Sequence, residues 1–154
     1  MSTKILMVCL GNICRSPLAE GILQAKLPQD LFQVDSAGTG DWHVGQKPDH
    51  RSIAIGKKYH IDLSKQKARQ FHLNDFENFD HIYVMDQSNY ANVIAMAPDQ
   101  AAIDKVQLIL NEHPKSKLSE VPDPYFGGDE GFEHVYQLLD ETCELLAKKL
   151  LAQQ

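Results

Sequence analysis

Residues 4–10, KILMVCL, form an unbroken apolar run, the pattern of a strand buried on both faces. Residues 16–27, SPLAEGILQAKL, change at once to helical spacing, with Leu18, Ile22, Leu23 and Leu27 on one side. Ser16 reads as a cap and Pro17 suits a first turn. FQVDSAG (32–38) alternates as a second strand, and DWHVGQKPD is a loop. Residues 49–61 predict a helix capped by Asp49, and FDHIYVMD (79–86) a third strand. Residues 87–98 predict a helix ended by Pro98, with Asp86 as its cap, and KVQLIL (105–110) a short fourth strand. A long polar loop, 114–131, precedes the clearest amphipathic segment, 132–152. Its apolar stripe runs through Phe132, Val135, Leu139, Cys143, Leu146 and Leu150, and the acids and lysines between them read as a solvated face.

Strands alternating with helices predict an α/β fold with a parallel sheet covered on both faces. A chain of 154 residues without repeats, low-complexity stretches or a linker suits one domain, residues 1–154. The net charge of -6 argues against general affinity for nucleic acid or anionic membrane, while leaving room for a local basic pocket. The first residues lack the long apolar region of a signal peptide, and no stretch has the length of a membrane span, so a cytoplasmic location is expected. Three cysteines do not make a disulfide framework; thiol chemistry for some and packing for others is the reading, with Cys143 packed in the last helix. Seven histidines lie without metal-ligand spacing, and neither metal nor cofactor is expected.

In parallel sheets ligands bind beyond the carboxyl ends of the strands, and Cys9 stands at such an end. The following residues, Leu10, Gly11, Asn12, Ile13, Cys14, Arg15 and Ser16, join a strand to a helix start. Such a loop can turn its N–H groups inward and cradle an anion. Gly11 permits a positive φ, with Asn12 the next best residue for it. Arg15 adds a planar fork matched to two phosphate oxygens. The helix dipole, the N–H groups and this cation all favour a thiolate at Cys9. An anion site with a nucleophile at its base implies phosphoryl transfer through a phosphocysteine. The leaving oxygen then needs a proton, and Asp123, stiffened between Pro122 and Pro124, can supply it and later activate water. Ser16 can donate to the Cys9 sulfur and improve it as a leaving group.

Cys9-Leu10-Gly11-Asn12-Ile13-Cys14-Arg15-Ser16-Pro17 together with Asp123-Pro124-Tyr125 resembles the low-molecular-weight protein tyrosine phosphatases, whose motif is C-x-G-N-x-C-R-S-P with a distant D-P-Y. DSAGTGDWHVGQKPDHR, KARQ (67–70) and MDQSN (85–89) look like further family segments, so the resemblance spans essentially the whole chain. It implies a four-stranded parallel sheet with helices on both faces and metal-free hydrolysis of phosphotyrosine in a protein substrate. By the same resemblance Cys9 is the nucleophile, Arg15 the phosphate clamp and Asp123 the general acid. Trp42 and Tyr125 flank the substrate ring, and Asn12 and Ser36 form a pair that fixes the loop. Phe126 stands where many animal members have a second tyrosine, which removes a phosphorylation site and nothing catalytic. A monomer or weak dimer is expected.

Blander and rival readings stand beside these. Cys14 is either a residue of the loop or the partner of a reversible disulfide that shields Cys9. Trp42, beside Asp41, His43 and Gly45, reads as an exposed ring rather than a packed one. An arsenate reductase with the same opening loop needs two more cysteines near the third strand and beyond. A protein arginine phosphatase of this fold carries threonine at the position of Ile13. A phosphocysteine carrier domain needs neither Arg15 nor Asp123.

Overall fold

The computed structural model describes residues 2–154. Four strands, β1 (Thr3–Cys9), β2 (Phe32–Gly38), β3 (His81–Val84) and β4 (Val106–Leu108), form one parallel sheet in the order β2-β1-β3-β4. The helices are α1 (Arg15–Lys26), α2 (His50–Lys58), α3 (Asp75–Asn78), α4 (Gln87–Ile94), α5 (Gln100–Asp104) and α6 (Asp129–Ala152). β1 alternates its side chains between two cores. Ile5, Met7 and Cys9 pack with Leu18, Ile22 and Leu23 of α1 and Leu139, Cys143 and Leu146 of α6. Leu6 and Val8 pack on the opposite face with Phe76, Val93 and Ala102 from α3, α4 and α5. Because both faces are buried, the central strand reads as a continuous apolar run rather than an alternating one.

The α/β architecture and the parallel four-stranded sheet expected from the sequence are what the chain adopts, and β2 has the expected bounds. Several edges moved, each for a local reason. β3 stops before Met85 because Asp86 leaves the strand to cap α4, its carboxylate accepting from Asn89 N–H. α4 ends at Ile94 and not at Pro98. Met96 and Ala97 bond to carbonyls three residues back, tightening the last turn ahead of the proline. α2 has the expected cap, Asp49, but ends near Lys58. His60 takes φ 67°, and the N–H groups of Ile61 and His60 return to Gly56 and Lys57 in a Schellman arrangement. β4 gives way at Ile109 to a short 3₁₀ turn. α6 begins three residues earlier than expected, at Asp129, where two acids favour the helix dipole. α3 and α5 carry too few residues to show a period and were absent from the sequence reading.

β1 lies between β2 and β3, and the chain leaves it for α1 on one face and leaves β3 for α4 on the other. The carboxyl end of β1 is thus the switch point where a crevice opens.

Candidate active site

The segment between Cys9 and α1 is a compact loop packed on Gly38. A Cβ at Gly38 would stand 2.8 Å from the Leu10 carbonyl oxygen and 3.0 Å from the Asn12 nitrogen, so only glycine lets β2 approach this closely. Of the two residues that suit it, Asn12 takes the left-handed conformation, φ 57°. A Cβ at Gly11 would lie 3.0 Å from His43 Cδ2, a tight contact that the imidazole would have to relieve by shifting. Asn12 tolerates the conformation because every polar atom of its side chain is used. Its Oδ1 accepts from Arg69 N–H at 3.0 Å, which fixes the amide orientation. Its Nδ2 then donates to Ser16 Oγ at 2.8 Å and to Ser36 Oγ at 2.9 Å.

Both hydroxyl oxygens accept from Asn12. Ser36 donates onward to Glu20 Oε1 at 2.7 Å. Ser16 Oγ lies 3.0 Å from Cys9 Sγ, within hydrogen-bond distance, and its hydroxyl donates to the sulfur when that is a thiolate, which has no proton to give. Ser16 does not cap α1, contrary to the sequence expectation. The cap position falls to Cys14 with no side-chain bond, because the helix begins at Arg15, one residue before the serine. The Asn12 N–H also points at Cys9 Sγ, 3.3 Å away. Among the described residues no acceptor bonds the N–H groups of Gly11, Ile13 or Cys14. The loop thus offers unspent donors at the start of a twelve-residue helix, the arrangement that binds oxyanions.

Arg15, the first residue of α1, is only 2% exposed. Its Nη1 donates to Asp86 Oδ2 at 2.7 Å and to the Val121 carbonyl at 3.0 Å, and its Nη2 is 3.7 Å from Asp123 Oδ2. Burial works against its charge, but Cys9, Asp86 and Asp123 together more than offset that and hold the proton more firmly than usual. Asp123 lies on the loop after β4, where Val121 N–H bonds the Met85 carbonyl and anchors the loop to the end of β3. Asp123 Oδ1 accepts from Tyr125 N–H at 3.0 Å, which leaves Oδ2 facing Arg15.

A cavity of about 250 Å³ opens over this centre. Cys9, Leu10, Gly11, Ile13, Cys14 and Arg15 line it from the loop, Trp42 and His43 from one side, and Asp123, Tyr125 and Phe126 from the other. Trp42 is 66% exposed and Phe126 95%, so the mouth carries aromatic surface that is not packed. The sequence-predicted residues Cys9, Arg15, Asp123, Trp42 and Tyr125 therefore share one cavity, and Ser36 stands behind the loop. Cys14 lies in a small core with Ile13, Ala68 and Phe132. Burial, with the nearby Asp49, Cys9 and Asp123 charges, pushes its thiol up to about 12. Cys143, on the buried face of α6, is wholly enclosed and does not line the cavity.

Three contributors, Glu20, Arg69 and Arg51, have no local sequence role, and a fourth, Asp86, has a second role beyond the one its position predicts. Asp86 serves as a cap and also as the partner of Arg15. Glu20, Arg69 and Arg51 act on the loops through hydrogen bonds. A cation in the first turn of α2, where the helix dipole opposes it, was the one available hint for Arg51.

The low molecular weight phosphotyrosine protein phosphatase model matches residues 4–154. The chain belongs to that family. It is 44% identical over 150 residues to the low molecular weight phosphotyrosine protein phosphatase of Schizosaccharomyces pombe, covering 93% of this chain and 94% of the relative. The human protein of the same description is 37% identical over 152 residues, covering 95% and 94%. A crystal structure of a protein tyrosine phosphatase from Entamoeba histolytica superposes with a TM-score of 0.93 at 38% identity, covering 99% of both chains. The protein is thus a protein-tyrosine phosphatase, a phosphoric monoester hydrolase acting on phosphotyrosine. Among the described residues no helix is long and apolar enough to cross a membrane.

Proposed function

We propose that residues 1–154 form one phosphatase domain that hydrolyses phosphotyrosine in protein substrates through a phosphocysteine, without metal or cofactor. The phosphoryl group enters the loop of residues 10–16 and is held by its N–H groups and by Arg15. Cys9 thiolate attacks phosphorus as the bond to the tyrosine oxygen breaks, and Asp123 gives its proton to that oxygen. The product tyrosine leaves, and Asp123, now a carboxylate, takes a proton from the attacking water. The S–P bond breaks, phosphate is released, and the Ser16 hydroxyl supports the returning charge on Cys9. Arg15 and the loop donors meet the charge that develops on the equatorial oxygens. Trp42 and Tyr125 wall the substrate ring, Ile13 keeps the inner wall apolar, and Ser36 supports Asn12.

The observation that carries this reading is the convergence of Cys9, Arg15 and Asp123 on one cavity, with the Asn12 N–H aimed at the sulfur and the Ser16 hydroxyl within hydrogen-bond distance of it. A thiol-relay reductase has less support, since Cys143 is enclosed in the core. We place the protein in the cytoplasm as a monomer or weak dimer without nucleic-acid or membrane partners. The experiment is a paired one. Cys9→Ser is expected to abolish turnover of phosphotyrosine peptides while still binding phosphate. Asp123→Ala is expected to retain phosphoproteins from a lysate that phosphate or vanadate elutes. Appreciable turnover by Cys9→Ser would overturn the phosphocysteine route.

A further inference from the structure

The loop of residues 121–128 carries Asp123, yet little of it is packed: Phe126 is almost fully exposed, and Gly127 and Gly128 follow. Its first end is pinned at Val121, through Met85 and Arg15. The other end is hydrogen-bonded by the Arg51 side chain. Arg51 Nη2 donates to the Tyr125 carbonyl at 2.8 Å and Nη1 to the Gly127 carbonyl at 2.9 Å. The same guanidinium holds both Asp49 oxygens, Nε to Oδ1 at 3.1 Å and Nη2 to Oδ2 at 3.2 Å. Its carbon lies 4.5 Å from the centroid of the buried Phe132 ring and 5.7 Å from that of Tyr125.

The anchor beneath Arg51 is the phosphate loop itself. Asp49 N–H bonds the Ile13 carbonyl at 2.8 Å, and the Ser52 hydroxyl donates to the Cys14 carbonyl at 3.2 Å. The first turn of α2 therefore grips the loop around Cys9 on one side and, through Arg51, the loop around Asp123 on the other.

We propose that Arg51 is a positioning residue that fixes the height of Asp123 above Cys9 by clamping the two loops to one helix turn. This rests on the reading of Asp123 as the general acid. Arg51 is absent from the residues that line the cavity, so it acts through the Tyr125 and Gly127 carbonyls. Four of the five donors of the planar fork serve two carbonyls and both oxygens of one carboxylate at once, which the three donors of a lysine cannot match. Loss of the clamp leaves the pocket and the nucleophile in place and lets the acid wander. A misplacement of about 1 Å costs roughly 100-fold when a proton must be delivered in register.

The test uses the full-length enzyme with Arg51→Met, Arg51→Lys, Asp123→Ala and the Arg51→Met/Asp123→Ala double variant, on a series of aryl phosphates whose phenols range from strongly acidic to tyrosine-like. Arg51→Met is expected to lose roughly 10- to 100-fold in kcat on the basic phenols and little on the acidic ones. Inhibition by inorganic phosphate should remain unchanged. Arg51→Lys should fall in between, and it carries the test if the methionine variant fails to fold. The double variant should be no slower than Asp123→Ala alone, because a mislaid acid and a missing one are equivalent. A uniform loss across all phenols, or an additive loss in the double variant, would overturn the positioning role. If Asp123→Ala itself shows no dependence on the leaving group, the acid assignment fails first, and Arg51 loses its purpose with it.

Discussion

Glu20 sits half-buried at the far end of the hydrogen-bonded chain Glu20–Ser36–Asn12–Ser16–Cys9, and burial pushes its carboxyl up to about 7. The Ser36 hydrogen bond and the Arg69 charge favour the anion, the neighbouring Asp35 opposes it, and burial dominates. The perturbation is Glu20→Gln, which keeps an oxygen for the Ser36 hydroxyl and cannot titrate. In the folded protein Glu20 holds its proton more tightly than in the unfolded chain. Its relative contribution to stability is therefore fully present below the ordinary value of 4.5 and is lost as pH rises through about 7. At 1.36 kcal/mol per tenfold change the full span is about 3 kcal/mol, and solvent screening of a half-buried group reduces it to about 1–3 kcal/mol. Urea unfolding of both proteins between about pH 4.5 and 8 measures it. The stability of Glu20→Gln relative to wild type should climb across this window, with a Tm gain of about 2–4 °C for each kcal/mol. A difference that stays flat with pH, or one that moves the other way, would refute the assignment of this proton to Glu20.

Arg15→Lys should lose most of its kcat and much of its affinity for phosphate, because a point charge cannot hold Asp86, the Val121 carbonyl and the substrate together; near-normal kcat would remove Arg15 as the clamp. Asp123→Ala should lose about 10²- to 10⁴-fold in kcat on phosphotyrosine and far less on an aryl phosphate with a strongly acidic phenol; an equal loss on both would move the acid elsewhere. Peroxide should inactivate the enzyme, phosphate should protect it and a dithiol should restore it. Because burial holds the Cys14 thiol protonated, any Cys9–Cys14 link should form slowly at neutral pH and faster as pH rises, and peptide mapping without that link would end its shielding role. Gly38→Ala should destabilise the fold by about 1–3 kcal/mol and weaken phosphate inhibition, since the added methyl meets loop backbone; unchanged phosphate inhibition would count against that contact shaping the loop.

Features carried by neighbouring residues were legible in the sequence. The switch from the continuous run of residues 4–10 to helical spacing marks β1 and α1, and with them the loop between, because strand and helix periods depend only on local spacing. Asp49 and Asp86 announced themselves as caps for the same reason. Cys9 and Arg15 stand six positions apart on that single turn of chain, so their meeting needed no knowledge of the fold. Tertiary structure decided what depends on approach through space. The second role of Asp86 requires β3 to lie beside β1, which brings it to Arg15 across 71 positions of sequence. Arg51 finds the Tyr125 carbonyl 74 positions away only because α2 and α6 pack together. The placing of positive φ on Asn12 rather than Gly11 was also beyond local reading. Both residues tolerate the conformation, and the choice came from Arg69, Ser16 and Ser36 closing on the Asn12 amide. A sequence records which residues can make a bond; the sheet order and the helix packing determine which of them come within reach.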